Sequence, residues 1–118
     1  MQSAIQRELA MPFEKGKNDC LSFCLSAISG MGVQLRPFKK FGKKPPKDAE
    51  KSFLDFCETQ GWLRTDIDLA DTGSFALCRS GSIYYPAVFD GTSFLSRSEL
   101  GISTPQKTHI LMVYRTVI

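Results

Sequence analysis

Of the 118 residues in this chain, Cys20 is the one best placed to do chemistry. It follows Asp19 at the close of Pro12-Phe13-Glu14-Lys15-Gly16-Lys17-Asn18, and it opens the apolar run Leu21-Ser22-Phe23-Cys24-Leu25-Ser26-Ala27-Ile28. An Asp before such a run reads as a helix N-cap, which puts Cys20 on the first turn. Unpaired backbone N–H groups and the helix dipole there favour a thiolate, the form of cysteine that acts as a nucleophile. Asp19 opposes that charge unless its carboxylate points away, so its simplest role is the cap. A thiol nucleophile also needs a base to accept its proton. The one histidine, His109, heads the run His109-Ile110-Leu111-Met112-Val113-Tyr114-Arg115. Cys20 as nucleophile with His109 as general base is one reading, and it requires a fold that brings the two within hydrogen-bond reach. The other is that a histidine beside Lys107 and Thr108 at the head of a strand is a surface residue.

Four cysteines, Cys20, Cys24, Cys57 and Cys78, sit in segments that otherwise read as core. The opening residues, Met1 to Glu8, lack the basic-then-apolar order of a secretory signal, so the expectation is synthesis in the cytoplasm with reduced thiols. A zinc site would need Cys57 and Cys78 to converge on the Cys20–Cys24 face of a helix, whereas structural zinc sites draw paired ligands from tight turns. No metal and no cofactor are expected. No apolar run approaches the roughly 20 residues that span a bilayer, so no membrane partner is expected either.

The net charge of +3 is concentrated. Arg36, Lys39, Lys40, Lys43, Lys44 and Lys47 lie within twelve residues that contain no acid, interleaved with Pro37, Phe38, Phe41, Gly42, Pro45 and Pro46. Such a run is either a solvated loop or a patch for nucleic acid, an anionic glycan or an acidic partner subunit. Nucleic acid is the less favoured partner, because no recognised reading motif accompanies the charges.

The elements that must position these residues follow from periodicity. A first helix is expected over Ser3–Met11, ended by Pro12. A second is expected over Asp19–Ser29, with Leu21, Cys24, Leu25 and Ile28 on a buried stripe and Gly30 and Gly32 as the stop. A third opens at Asp48-Ala49-Glu50-Lys51, buries Ala49, Phe53, Phe56 and Cys57, and closes at Gly61. From Trp62 onward, aromatic and β-branched residues gather in short runs, with strands expected at 74–79, 84–90, 92–96 and 110–117. Asp90-Gly91 reads as a tight type I′ hairpin and Ser80-Gly81 as a looser turn. Pro86 inside a strand marks an edge or a bulge. Tyr84, Tyr85, Trp62 and Phe94 are either sheet core or an aromatic binding surface. Helices first and an antiparallel sheet afterwards make an α+β fold, here one domain over residues 1–118, with the helices packed on one face.

A helix-borne Cys followed by an antiparallel sheet resembles the papain-like cysteine hydrolases, and the wording is similar to the NlpC-type cell-wall hydrolases. Gly16 and Asp19-Cys20 match the opening of that family's nucleophile helix, and Gly73-Ser74-Phe75-Ala76-Leu77-Cys78 resembles its Gly-Asp strand start. Tyr85-Pro86-Ala87-Val88-Phe89-Asp90-Gly91 resembles the strand that begins with the catalytic His, and puts Tyr85 in the histidine's place. A phenol with an ordinary pKa near ~10 cannot serve as that base at neutral pH. Pro12-Phe13, Gly16, Asp19-Cys20, Gly30 and Tyr114-Arg115 resemble a short branch of the family found in phage tail-assembly proteins, which often lacks the histidine. The resemblance implies a virion tail protein with a degenerate site, other tail proteins as partners, and Tyr85, Lys39, Lys40, Lys43 and Lys44 as binding residues. The run from His109 resembles instead the His-led strand of the bacteriocin-processing cysteine peptidases. That branch implies an active peptidase or amidase acting on peptidoglycan stem peptides or a protein. Nine residues follow His109, little room for the acid that the family places on the next strand.

Overall fold

The computed structural model describes residues 20–36, 49–98 and 101–116. Within them lie two α-helices, α1 (Cys20–Gly30) and α2 (Ala49–Thr59). Six strands follow: β1 (Leu63–Thr65), β2 (Phe75–Ser80), β3 (Ile83–Phe89), β4 (Phe94–Ser98), β5 (Gly101–Ser103) and β6 (Ile110–Arg115). The strands form one antiparallel sheet in the order β1-β6-β2-β3-β4-β5, so the last strand inserts between the first and second. The architecture is α+β, as composition and order require. The expected helix over 3–11, the Asp19 cap and the basic run 37–47 lie outside the described residues.

In α1, Phe23, Cys24, Leu25, Ala27 and Ile28 are all buried, while Ser26 is half-buried and Ser29 exposed, so its water-facing edge is short and uncharged. α2 is amphipathic by contrast: Phe53, Phe56, Cys57 and Gln60 are buried while Glu50, Lys51, Asp55, Glu58 and Thr59 face water. Its end is a Schellman motif. Trp62 N–H donates to Cys57 O at 3.1 Å and Gly61 N–H to Glu58 O at 3.0 Å, with Gly61 at φ +76°. The Trp62 ring then lies edge-on to Phe56 at 5.6 Å, the apolar contact that accompanies this cap.

Period-two alternation divides the sheet into two faces. Phe75 and Leu77 of β2, Val88 of β3, Leu95 of β4, and Met112 and Tyr114 of β6 join both helices in the main core. Ala76, Cys78, Ala87, Phe94 and Val113 form a smaller cluster on the reverse face, with Tyr85, Phe89 and Ile110 beside them. α1 makes its sheet contacts with β3 and β4. α2 sits over β2 and β6, where Phe53 stacks on Phe75 at 4.9 Å and meets Tyr114 at 6.0 Å. The helices are therefore neighbours on one face. At 11 residues each, neither is long or apolar enough to cross a membrane.

Two turns exchange the roles expected of them. Residues 90–93 form a four-residue loop, because the Asp90 carboxylate accepts from Thr92 N–H at 2.8 Å and Ser93 N–H at 2.7 Å. Among the described residues only glycines take positive φ, so Asp90 does not enter a type I′ turn. The side chain offers its own turn to the backbone, which is what Asp does in loops. The β2–β3 connection is the tight one: Ser80 pairs with Ile83 around Gly81-Ser82, with Gly81 at φ +63° in the first central position. Pro86 sits in β3 where only β2 pairs with it, since β4 reaches no further than Val88 and Phe89. It interrupts no ladder there, so the stretch is an edge in all but name.

Gln60 ties the chain ahead of the basic run to the end of α2. Its Oε1 accepts from Arg36 N–H at 2.7 Å, and its Nε2 donates to Arg36 O at 3.0 Å. Leucine in its place orphans both backbone groups, so Gln60→Leu is expected to lose about 1–3 kcal/mol. Amide exchange at Arg36 should accelerate in that variant; unchanged exchange would show that the clamp does not hold the segment.

Candidate functional site

The backbone places Cys20 as the first residue of α1, as the apolar run predicts. Past the far end of the helix the Met31 side chain rests against Gly73, just ahead of β2. The C-terminal end of α1 therefore lies near where β2 begins, and α1 makes its sheet contacts with β3 and β4. The β2–β3 turn, Arg79, Tyr84 and the start of β6 with His109 lie at the other end of β2.

His109 is half-buried, the last residue of a short 3-10 turn, Lys107–His109, and its N–H donates to Gln106 O at 2.8 Å. His109 belongs to a different part of the sheet from the strands that α1 contacts. α1 lies over β3 and β4, whereas His109 leads β6, on the far side of β2 from β3.

Tyr85 and Tyr84 take opposite sides. Tyr85 pairs with Cys78 and packs into the reverse-face cluster, away from both helices. The position that the NlpC resemblance assigns to the base therefore does not face the helix that carries Cys20. The β3 side chain that does face the helices is Tyr84, packed against the main core. Arg79 covers it, with the guanidinium carbon 5.8 Å from the ring centroid and Nη1 donating to Tyr84 Oη at 3.5 Å. Counting alternate residues from Phe75 and Val88, both plain core positions, would have put Tyr84 on the helix side from sequence alone. Lys39, Lys40, Lys43 and Lys44 lie outside the described residues.

The other thiols are structural. Cys24, Cys57 and Cys78 are buried and carry no disulfide. Burial, with Glu58 adding to it, pushes the Cys57 thiol far up, and burial alone pushes Cys78 up to about 12. Neither ionises at neutral pH, so neither is a nucleophile there. Cys57 belongs to the main core and Cys78 to the reverse face, so the two do not converge on a shared metal.

Gly73 and Ser74, which resemble the family's Gly-Asp strand start, are here a buried turn. Gly73 N–H donates to Phe89 O at 2.7 Å and Ser74 Oγ accepts from Asp71 N–H at 3.0 Å. Thr116 Oγ1 donates to Gly73 O at 2.9 Å in the interior. These bonds lock the head of β2 and carry no free functional group. The sequence matches no protein-family model and no curated protein sequence.

Proposed function

We propose that the chain is a phage tail-assembly or tail-tip structural protein, built on an NlpC-like, papain-related fold whose hydrolase site is degenerate and whose surface serves for binding. One observation carries this reading. A core helix begins at Cys20, in the manner of a nucleophile helix, while the strand beneath it offers Tyr84 rather than an imidazole. His109 leads a strand two places away from β3 in the sheet, not a strand that α1 contacts. Lys39, Lys40, Lys43 and Lys44 then supply a basic surface for acidic neighbours in the tail, and the protein resides in the virion after synthesis in the host cytoplasm.

The test is whether the chain co-purifies with intact particles and co-migrates with tails when particles are dissociated. Recovery solely as a free cytoplasmic monomer refutes the virion reading. The second reading, an active cysteine peptidase or amidase, rests on Cys20 heading a helix in a chain that also holds a histidine, His109. It is separated by alkylation with iodoacetamide at neutral pH, with each cysteine followed by peptide mass spectrometry. A degenerate site leaves Cys20 no more reactive than free cysteine and insensitive to His109→Ala. Rapid modification confined to Cys20, abolished by His109→Ala, would establish the enzyme instead.

A further inference from the structure

Among the described residues, the two faces of the sheet are covered very unequally. The helix face carries two helices and a cluster of aromatic rings. Among the described residues, the reverse face is covered by two short 3-10 turns: Ile67–Leu69, which packs on β6, and Lys107–His109, which packs on β2. Ile67 and Ala70 are the roof's apolar contribution, and both are only half-buried. The floor beneath is made of small side chains, Ala76, Ala87, Cys78 and Val113, each almost fully buried. One ion pair ties the two turns to each other across 39 residues of chain: Lys107 Nζ donates to Asp68 Oδ1 at 2.9 Å. A second, between Arg115 and Asp71, ties the end of the Ile67 strap to β6.

We propose that these two turns form an electrostatic clasp, and that it opens as a local unit, uncovering the reverse face of the sheet while the helix face stays folded. The physical basis is the balance of the two coverings. The clasp's described apolar contacts are Ile67 and Ala70, both half-buried, and its ion pairs are solvent-exposed, with side-chain exposures of 67% and 77% for Lys107 and Asp68 and 52% and 60% for Arg115 and Asp71. Exposed pairs contribute little and are screened by salt. The main core cannot open without separating stacked rings from two helices. Segments with few buried apolar contacts open at lower free energy than the global transition. His109 belongs to the clasp, so opening also displaces the start of β6.

Cys78 reports the opening directly, because it lies under the clasp, whereas Cys57 lies in the main core. Burial keeps both thiols protonated and unreactive in the closed state, so each is labelled only through an opened one. The experiment is thiol labelling of the whole chain with an aromatic disulfide, with each cysteine followed by peptide mass spectrometry at increasing urea. Cys78 is expected to label faster than Cys57 in water, and with a much weaker dependence on urea, the mark of a local opening. Lys107→Ala should raise the Cys78 rate about two- to fivefold, as the loss of an exposed ion pair allows, with the Cys57 rate nearly unchanged. Raising salt should act in the same direction on the unaltered chain. The exchanged pair, Asp68→Lys with Lys107→Asp, should restore the slow rate. The proposal is overturned if Cys78 and Cys57 label together with equal urea dependence, or if Lys107→Ala leaves Cys78 unmoved.

Discussion

Phe75→Ala is expected to lower the unfolding free energy by about 3–5 kcal/mol, the range for removing a fully buried aromatic ring. Phe75 is the ring on which the helix face is organised. It stacks on Phe53 at 4.9 Å and meets Trp62 at 5.7 Å and Phe56 at 6.0 Å, both edge-on. It also begins β2, between Val88 on one neighbouring strand and Tyr114 on the other. Truncation therefore detaches α2, the Trp62 cap and two strand pairings from a shared contact, and a rigid aromatic surround collapses poorly into the cavity. Against a net stability of about 5–15 kcal/mol for an ordinary domain, that is a large fraction. With a urea m-value of about 2 kcal/mol/M, the midpoint should fall by roughly 2 M. Trp62 is the single tryptophan, and its fluorescence follows the transition from inside the affected cluster. Phe89→Ala is the control: Phe89 is half-buried on the reverse face, with one ring neighbour, Phe94, at 4.9 Å. Equal losses from the two variants would show that the core is not organised around Phe75.

Gly73→Val should be nearly as harmful, at about 2–4 kcal/mol, from strain rather than a void. Gly73 holds φ +92°, a conformation that a β-branched residue adopts only with strain. A Cβ there would collide with Met31 Cε and stand 3.3 Å from Thr116 Oγ1. Met31 is flexible and can swing aside, but Thr116 is held by its buried bond to Gly73 O and cannot. The variant must therefore either distort the turn that starts β2 or give up that bond. Gly81→Val separates backbone strain from crowding, because Gly81 also has positive φ yet nothing lies within 4 Å of its missing Cβ. The expected order in thermal midpoints is native, Gly81→Val, then Gly73→Val. If the two variants melt together, the contacts with Met31 and Thr116 are not what makes position 73 intolerant.

Much of the helical part was legible because its signals are local. The run from Cys20 to Ile28 is apolar and ends at glycines, and α1 spans Cys20–Gly30. In α2 the spacing of Phe53, Phe56 and Cys57 and the Gly61 stop matched expectation, because a Schellman cap is written within six residues. The longer strands were likewise found close to their expected limits. β1 and β5 were not foreseen, since three residues carry no periodicity. Leu63 to Thr65 becomes a strand only because Val113, Tyr114 and Arg115 offer an edge some fifty residues later. The two hairpins were interchanged because dipeptide preference ranks Asp-Gly above Ser-Gly, while here the Asp90 side chain captures backbone N–H groups for itself.

For the candidate site the division is sharper. Residue order and composition alone determined that a cysteine heads a core helix, that helices precede an antiparallel sheet, and that the chain holds one histidine. Tertiary structure decided which side of β3 each tyrosine occupies relative to that helix, which strands lie beneath α1, and how far across the sheet His109 stands. Those outcomes all depend on β6 entering between β1 and β2. Such a pairing is chosen by the burial of a whole sheet face, a sum over residues far apart in the chain, and no local spacing contains that sum.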